Sequence, residues 1–383
     1  MVWLLACFVT DNGSGAAFLI APDAGYPLRT GGVAEMVIIR EDEPRNVEFS
    51  LELDTYLTPV ELFYIRSHFP TPTMQAKDYQ LSVAGAVKNS FVLTYQELKN
   101  LPTKTRVATL ECAGNSRVFL APQKPGAQWQ LGAVGNAEWT GVPLATLLDR
   151  AGLNDKACEV VLEGADRGRP KEGPKPLEPI SYSRSIPVSK ALDDVLIAYL
   201  MNGVELTPDH GFPVRAIVPG HYGMASVKWL THILVLNEQF QGYWQTTDYG
   251  YWDNTDGIPV RRPLSELKLK SIIAHPSTFE LIPKGEKYLV YGAAWSGEAE
   301  VVEVEVTTDR GLKWDKAEFI DPIQAHAWRR WIYNWKAPDQ AGRRTLMSRA
   351  RDAAGALQPD KHDDQRYDSY VIHHTLPVEV ILQ

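Results

Sequence analysis

The stretch Thr109-Leu110-Glu111-Cys112-Ala113-Gly114-Asn115-Ser116-Arg117 puts a thiol at the end of an apolar run, with a guanidinium close behind it. Free cysteine behaves as a small hydrophobe, so a cysteine that ends a strand usually packs. Here Ala-Gly-Asn follows, which is turn chemistry, and a side chain at a strand-to-turn junction projects into a crevice. Arg117 would favour thiolate over thiol. Such a sulfur could be a nucleophile or a soft ligand to a metal. A second run, DHGFPVRAIVPGHYGMASVKWL from Asp209 to Leu230, carries His210, Arg215, His221 and Lys228, threaded with Gly220 and Gly223. Glycine lets backbone N–H groups approach an anion closely, and adjacent Arg and Lys make a phosphate-sized site. The glycine spacing is not that of a P-loop. In FYIRSHFPTP, Arg66 and His68 share one side of a chain that Pro70 and Pro72 keep extended. Asp248 beside Tyr249, and Arg329 among tryptophans, complete the candidates.

Strands and helices must position these groups. YQLSVAGAV alternates like a strand, and Thr94 with Glu97 is a capping box opening a short helix. TRVATLEC and CEVVLEGAD are expected as strands, the second placing Cys158 in the core. VPLATLLDRAG has helical spacing with Gly152 as its stop. VSKALDDVLIAYLMNG is expected as an amphipathic helix from near Ser189 to the Asn202-Gly203 stop. This irregular interleaving predicts an α+β domain. A Pro- and charge-rich seam, GIPVRRPLSELKLKS, separates it from a second pattern. There KYLVYGAAWSG, AEVVEVEVTTDRG, HAWRRWIYNWKAP, RRTLMSRARDAAG and PVEVILQ follow one another as strands. Val302, Val304 and Val306 are expected on one face and Glu303 and Glu305 on the other. That pattern predicts an immunoglobulin-like β-sandwich. The expected division is an extension or arm over 1–35, a catalytic domain over 36–262 and the sandwich over 263–383.

The 383 residues suit two domains, and 44% hydrophobic with 22% charged residues is a globular composition. A formal net charge of -8 argues against a nucleic-acid partner. Cys7, Cys112 and Cys158 are three and widely spaced, which is no disulfide framework, and there is no C-x-x-C or haem-attachment C-x-x-C-H. The opening apolar stretch runs about nine residues, too short to span a bilayer, and lacks a basic start. A cytoplasmic location without a membrane span is therefore expected, or a periplasmic one if a signal lies upstream.

ECAGNSR, DHGFPVRAIVPGHYGMASVKWL, FYIRSH, EGAD and GAAWSG, in their chain positions, resemble the sulfite oxidase family of molybdenum enzymes. The similarity runs from about residue 40 to the end. It implies a molybdopterin-binding domain followed by an immunoglobulin-like domain that forms a homodimer. It implies one molybdopterin and one molybdenum per chain, with Cys112 as thiolate ligand to the metal. Tyr64, Arg66, His68, Asp166, His210, Arg215, Ser226, Val227 and Lys228 would hold the cofactor. Arg66, Arg117, Trp129, Tyr249 and Arg329 would form the anion pocket. The implied reaction is oxidation of sulfite to sulfate by oxygen-atom transfer. Electrons would pass to an external acceptor such as a cytochrome c, or to dioxygen, and no haem is expected. The family's animal members carry Arg where this chain has Ser116 and Asn where it has Ser67; Ser116 is expected to thin the positive field beside the pocket. Three other readings stay open on the residues: a nitrate or sulfoxide reductase using the same cofactor, a thiol hydrolase or acyltransferase built on Cys112, and a non-catalytic Ig-like binding protein.

Overall fold

The computed structural model describes residues 38–383 apart from 43, 172, 254–256, 298 and 364–367. Cys7 and the expected 1–35 arm lie outside the described residues. Strands dominate. The first sheet runs in the order Val204–Glu205, Leu196–Met201, Val134–Pro143, Lys104–Glu111, with Arg215–Ile217 also pairing with Leu196–Met201. The second runs Phe91–Thr94, Gln80–Gly85, Leu230–Leu236, Glu159–Gly168, Ile180–Pro187. One apolar core, including Leu81, Leu147, Leu162 and Ile197, packs between them. No helix among the described residues is long and apolar enough to cross a membrane.

Helices are few and short: α1 (Tyr95–Lys99), α2 (Leu144–Ala151) and α3 (Val188–Asp193). Thr94 caps α1, its Oγ1 accepting from the Glu97 N–H at 3.3 Å while its own N–H donates to Glu97 Oε2 at 2.8 Å. The long helix expected from Ser189 to Asn202 is absent. Its first residues form α3, which stops at Asp193. Asp194 then turns to bind Lys190 at 2.7 Å and His326 at 3.0 Å. The remainder, Leu196–Met201, is a strand covered on both faces. An apolar run buried on both sides has no alternation to betray it, so it mimics a helix segment. The α+β expectation therefore overweights helix.

Beyond the seam, two further sheets face one another. One orders Lys270–His275, Lys287–Trp295, Arg329–Lys336, Glu318–Phe319; the other Leu281–Ile282, Val378–Leu382, Gly342–Asp352, Val301–Thr307, Asp315–Lys316. Val290, Val304, Trp331 and Val380 lie in the core they share. A register shift between Val301 and Glu303 breaks the expected alternation, so Val301 takes the inward place and Val302 stays 43% exposed. The seam is itself structured: Val260–Pro263 pairs with Gly250–Asp253.

The seam's last residue pair fastens the two halves. Lys270 Nζ lies 2.8 Å from Glu111 Oε1, and both side chains are almost wholly buried. Trp295 Nε1 donates to Glu111 Oε2 at 2.9 Å, and Asn115 Nδ2 to Oε1 at 3.1 Å. Lys270 also donates to Ser116 Oγ at 3.1 Å. This network grips the residues on either side of Cys112. Removing one partner of a buried, hydrogen-bonded ion pair strands the other charge. Lys270→Met should cost about 3–5 kcal/mol in urea unfolding, and Glu111→Gln in the same protein should recover part of it. A loss below about 1 kcal/mol would mean water reaches the pair.

Candidate active site

Cys112 follows the strand Lys104–Glu111 directly, and its N–H donates to the Ala133 carbonyl at 2.9 Å. Beyond it the chain reverses through Asn115 and left-handed Ser116, whose φ is 73°. Cys112 is buried in a core cluster with Tyr64, Leu110 and Trp129, yet it also lines a crevice. Arg66, His68, Cys112 and Tyr249 line two adjoining cavities, of about 60 and 420 Å³. The smaller adds Tyr64, Asp166, His210, Arg215, Ser226 and Lys228. The larger adds Arg117, Trp129, Trp244, Asp248 and Tyr370.

Tyr64, Arg66 and His68 reach these cavities together because the chain there is extended. Val47 and Ile65 exchange both backbone hydrogen bonds at 2.9 Å, and Asn46 Oδ1 accepts from the Ser67 N–H at 3.0 Å and from Arg66 at 3.1 Å. The alternation then sends the even-numbered side chains to one side. His68 stacks on Tyr182 with ring centroids 4.6 Å apart and shares a 2.8 Å hydrogen bond with the Tyr249 hydroxyl. Burial, reinforced by Arg66 and Lys228, pushes the His68 pKa well down, so the ring is neutral.

Arg215 donates to the carbonyls of His210 and Ser226, both at 3.0 Å. Lys228 donates to Ser67 Oγ at 2.9 Å and to the Asp209 carbonyl at 2.8 Å. Burial lowers Arg215 to about 10, His210 to about 3 and Lys228 to about 7. Burial also raises Asp166 to about 7, with Lys228 opposing. Asp166 Oδ1 and Arg215 Nε are buried without a partner. Buried polar atoms in that condition normally meet a ligand or water. Gly223 closes the same wall, where an added Cβ would lie 2.6 Å from the Tyr64 hydroxyl oxygen. A cradle of cations and orphaned polar atoms beside a thiol suits an anionic pterin cofactor whose metal takes one protein sulfur.

Among the described residues, no group of three or more His, Cys, Asp or Glu is placed to hold a metal ion. A metal on Cys112 must then bring its other ligands with it. Burial pushes the Cys112 thiol up, and Arg66, a Gly114 backbone contact and Arg117 oppose it in that order. Arg66 thus acts on the sulfur more strongly than Arg117. Coordination to a metal would displace the remaining proton.

Arg117 is fixed by close approach. Its guanidinium lies against Gly114 and Gly126, where an added Cβ would sit 2.4 Å and 2.6 Å from its nitrogens. Nε donates to the Ser369 carbonyl at 2.8 Å and Nη1 to that of Ala127 at 2.7 Å. Trp129 is wholly buried beside it.

Not every expected residue arrives. Arg329 donates to the carbonyls of Asp321 and Val301 and covers the Phe319 ring at 3.6 Å. It lines a separate cavity with Glu300 and His326. Those contacts hold it away from the larger cavity. Val227 is buried but lines neither cavity; its carbonyl accepts from the Ala216 N–H at 2.8 Å. Ser116 faces Lys270 and not the cavity, so it is a structural residue here. His221 and Gly220 also turn away, Gly220 packing against His326 and Gly297. Cys158 is exposed at the entry to its strand, not in the core. Sequence reasoning missed Tyr370, and also the buried Arg184, which lies near Tyr249 and donates to the carbonyls of Trp244 and Leu264 but lines neither cavity. Neither sits in a motif, and Ser369 meets Arg117 across 252 residues.

The description "Oxidoreductase molybdopterin binding domain" matches residues 68–244, and "Mo-co oxidoreductase dimerisation domain" matches 261–366. The sulfite oxidase of Gallus gallus is 36% identical over 373 residues, covering 91% of this chain and 78% of that protein. The chain belongs to the sulfite oxidase family. The mitochondrial sulfite oxidase of Mus musculus is 35% identical over 371 residues, and this chain spans 65% of its length. Among solved structures, the sulfane dehydrogenase SoxCD of Paracoccus pantotrophus superposes with a TM-score of 0.77 at 28% identity, covering 88% of this chain and 85% of that one.

The Asp166–Lys228 pair gives the cofactor-free protein a characteristic pH dependence. Asp166 rises from 3.8 to about 7, so its contribution to stability is present at low pH and lost as pH rises through about 7. Lys228 falls from 10.5 to about 7, so its contribution is present at high pH and lost as pH falls through about 7. Together they predict a minimum of Tm near neutrality. Asp166→Asn with Lys228→Met should flatten it. An unchanged minimum in that variant would assign it to other groups.

Proposed function

We propose that this chain oxidises sulfite to sulfate, using a molybdenum–molybdopterin cofactor and passing electrons to an external acceptor. The observation that carries this is the placing of the Cys112 sulfur on the wall shared by a cation-lined cradle and a cavity bearing two arginines. Tyr64, Asp166, His210, Arg215, Ser226 and Lys228 would hold the cofactor, and Cys112 would bind its metal. Bound there, the cofactor supplies two-electron oxygen-atom transfer.

The chain's own residues do the rest. Arg66 and Arg117 bind and orient a small oxyanion, for which guanidinium is better shaped than ammonium. Trp129 and Tyr249 wall off water. Burial raises the Tyr249 pKa, so its hydroxyl keeps its proton and serves as a donor. Neutral His68 holds that hydroxyl in place. The facing C-terminal sheets support reading that half as an immunoglobulin-like domain that pairs two copies of the chain, in keeping with the dimerisation domain matched there.

Steady-state assays of the molybdenum-loaded protein with sulfite, nitrate and methionine sulfoxide separate the readings. Sulfite should give the highest kcat/KM; turnover of either other compound in preference would transfer the site to that substrate. Tyr249→Phe should lower kcat/KM for sulfite roughly 10²-fold, the usual effect of removing one donor aimed at developing charge. Unchanged kinetics would remove Tyr249 from the reaction.

A further inference from the structure

The orientation of Arg66 is set from the chain that faces it. Val47 and Ile65 form an antiparallel bridge, and that register stands Asn46 across from Arg66. Asn46 opens the strand Asn46–Phe49, is buried, and lines the larger cavity beside Arg66. Its Oδ1 accepts from Arg66 Nη1 at 3.1 Å and from the Ser67 N–H at 3.0 Å. Its Nδ2 donates to the Pro44 carbonyl at 2.6 Å. Arg66 Nη1 also donates to the Ser67 carbonyl. Both hydrogen bonds of the guanidinium thus leave from one nitrogen, and Nε and Nη2 have no partner among the described residues.

The residue type at position 46 follows from these neighbours. Two donors meet Oδ1 and a carbonyl meets Nδ2, so an amide satisfies all three. A carboxylate would still accept from Arg66 and Ser67, but it would oppose the Pro44 carbonyl and set a negative charge against the guanidinium. Arg117 is anchored in the same neutral way, by the carbonyls of Ser369 and Ala127. Neither arginine forms an ion pair among the described residues, although Asp248 lines the same cavity. Buried cations elsewhere are neutralised: Lys270 by Glu111 and Arg330 by Asp321. We propose that Asn46 is a positioning residue that also sets specificity: its neutral amide fixes the Arg66 guanidinium while leaving the full charge to the cavity, so that the site favours a doubly charged oxyanion. This rests on the reading of the cavity as an oxyanion site. The attraction of a cation for an anion grows in proportion to the anion's charge, so a neutral anchor matters most for a dianion.

The test is anion binding to the oxidised, molybdenum-loaded protein, measured by titration calorimetry with sulfate and with singly charged nitrate. Asn46→Asp should weaken sulfate binding roughly tenfold or more, and nitrate binding by a clearly smaller factor. KM for sulfite should rise with the sulfate dissociation constant. Asn46→Ala keeps the charge of the guanidinium and loses its orientation. Both anions should then weaken by one common factor, with the sulfate-to-nitrate ratio as in wild type. A purely structural role for Asn46 lowers stability without moving that ratio. Unchanged sulfate affinity in either variant overturns the proposal, and so does Asn46→Asp weakening both anions equally. Each variant decides against it independently, should the other fail to fold. A wild-type protein that binds sulfate but does not oxidise sulfite defeats the functional reading, and the anion ratios still decide the role of Asn46.

Discussion

The structure turns on one buried ion pair. Glu111 and Lys270 come from different halves of the chain, and each would be expensive to bury alone. Joined, with Trp295, Asn115 and Ser116 taking the remaining hydrogen-bonding capacity, they lock the strand end and the turn that bracket Cys112. If the Cys112 sulfur binds a metal as proposed, this hold would keep it aimed. The C-terminal half is therefore part of the active site's support as well as a separate packing unit. It braces the cysteine turn through Lys270 and contributes Tyr370 to the cavity wall.

The charges around the sulfur obey a simple division. Cations predominate in both cavities, and burial removes protons from the groups that could compete with them. His68 and His210 are neutral, so they position neighbours without adding charge. Asp166 and Lys228 lie near their mutual balance point and would respond to whichever ligand enters. Arg66 and Arg117 are the arginines that line the larger cavity. Arg117 has two nitrogens committed to carbonyls, which fixes its orientation and leaves less of it for binding.

Much of this was legible in the sequence wherever the signal was local. Cys112 after a β-branched run, Arg66 and His68 at alternate positions in a Pro-held stretch, and His210, Arg215, Gly223 and Lys228 of the glycine-threaded run line one cavity. The failures have physical causes. Leu196–Met201 is apolar on both faces, so no period distinguished strand from helix. A bulge at Val301 shifted which valines point inward. Arg329 and Arg330 are neighbours on one strand and so face opposite ways; Arg330 pairs with buried Asp321, and neither reaches the cavity. Tyr370 and Lys270 could not be placed at all, because their partners lie far away in the chain and only the folded topology joins them.

The central claim is that the Cys112 sulfur is a metal ligand in a molybdenum enzyme. X-ray absorption at the molybdenum edge tests it directly, comparing purified wild-type protein with Cys112→Ser. The account predicts molybdenum in the wild-type protein and one fewer sulfur neighbour around the metal in the variant. The same sulfur count in both proteins, or no molybdenum in the wild type, would contradict it.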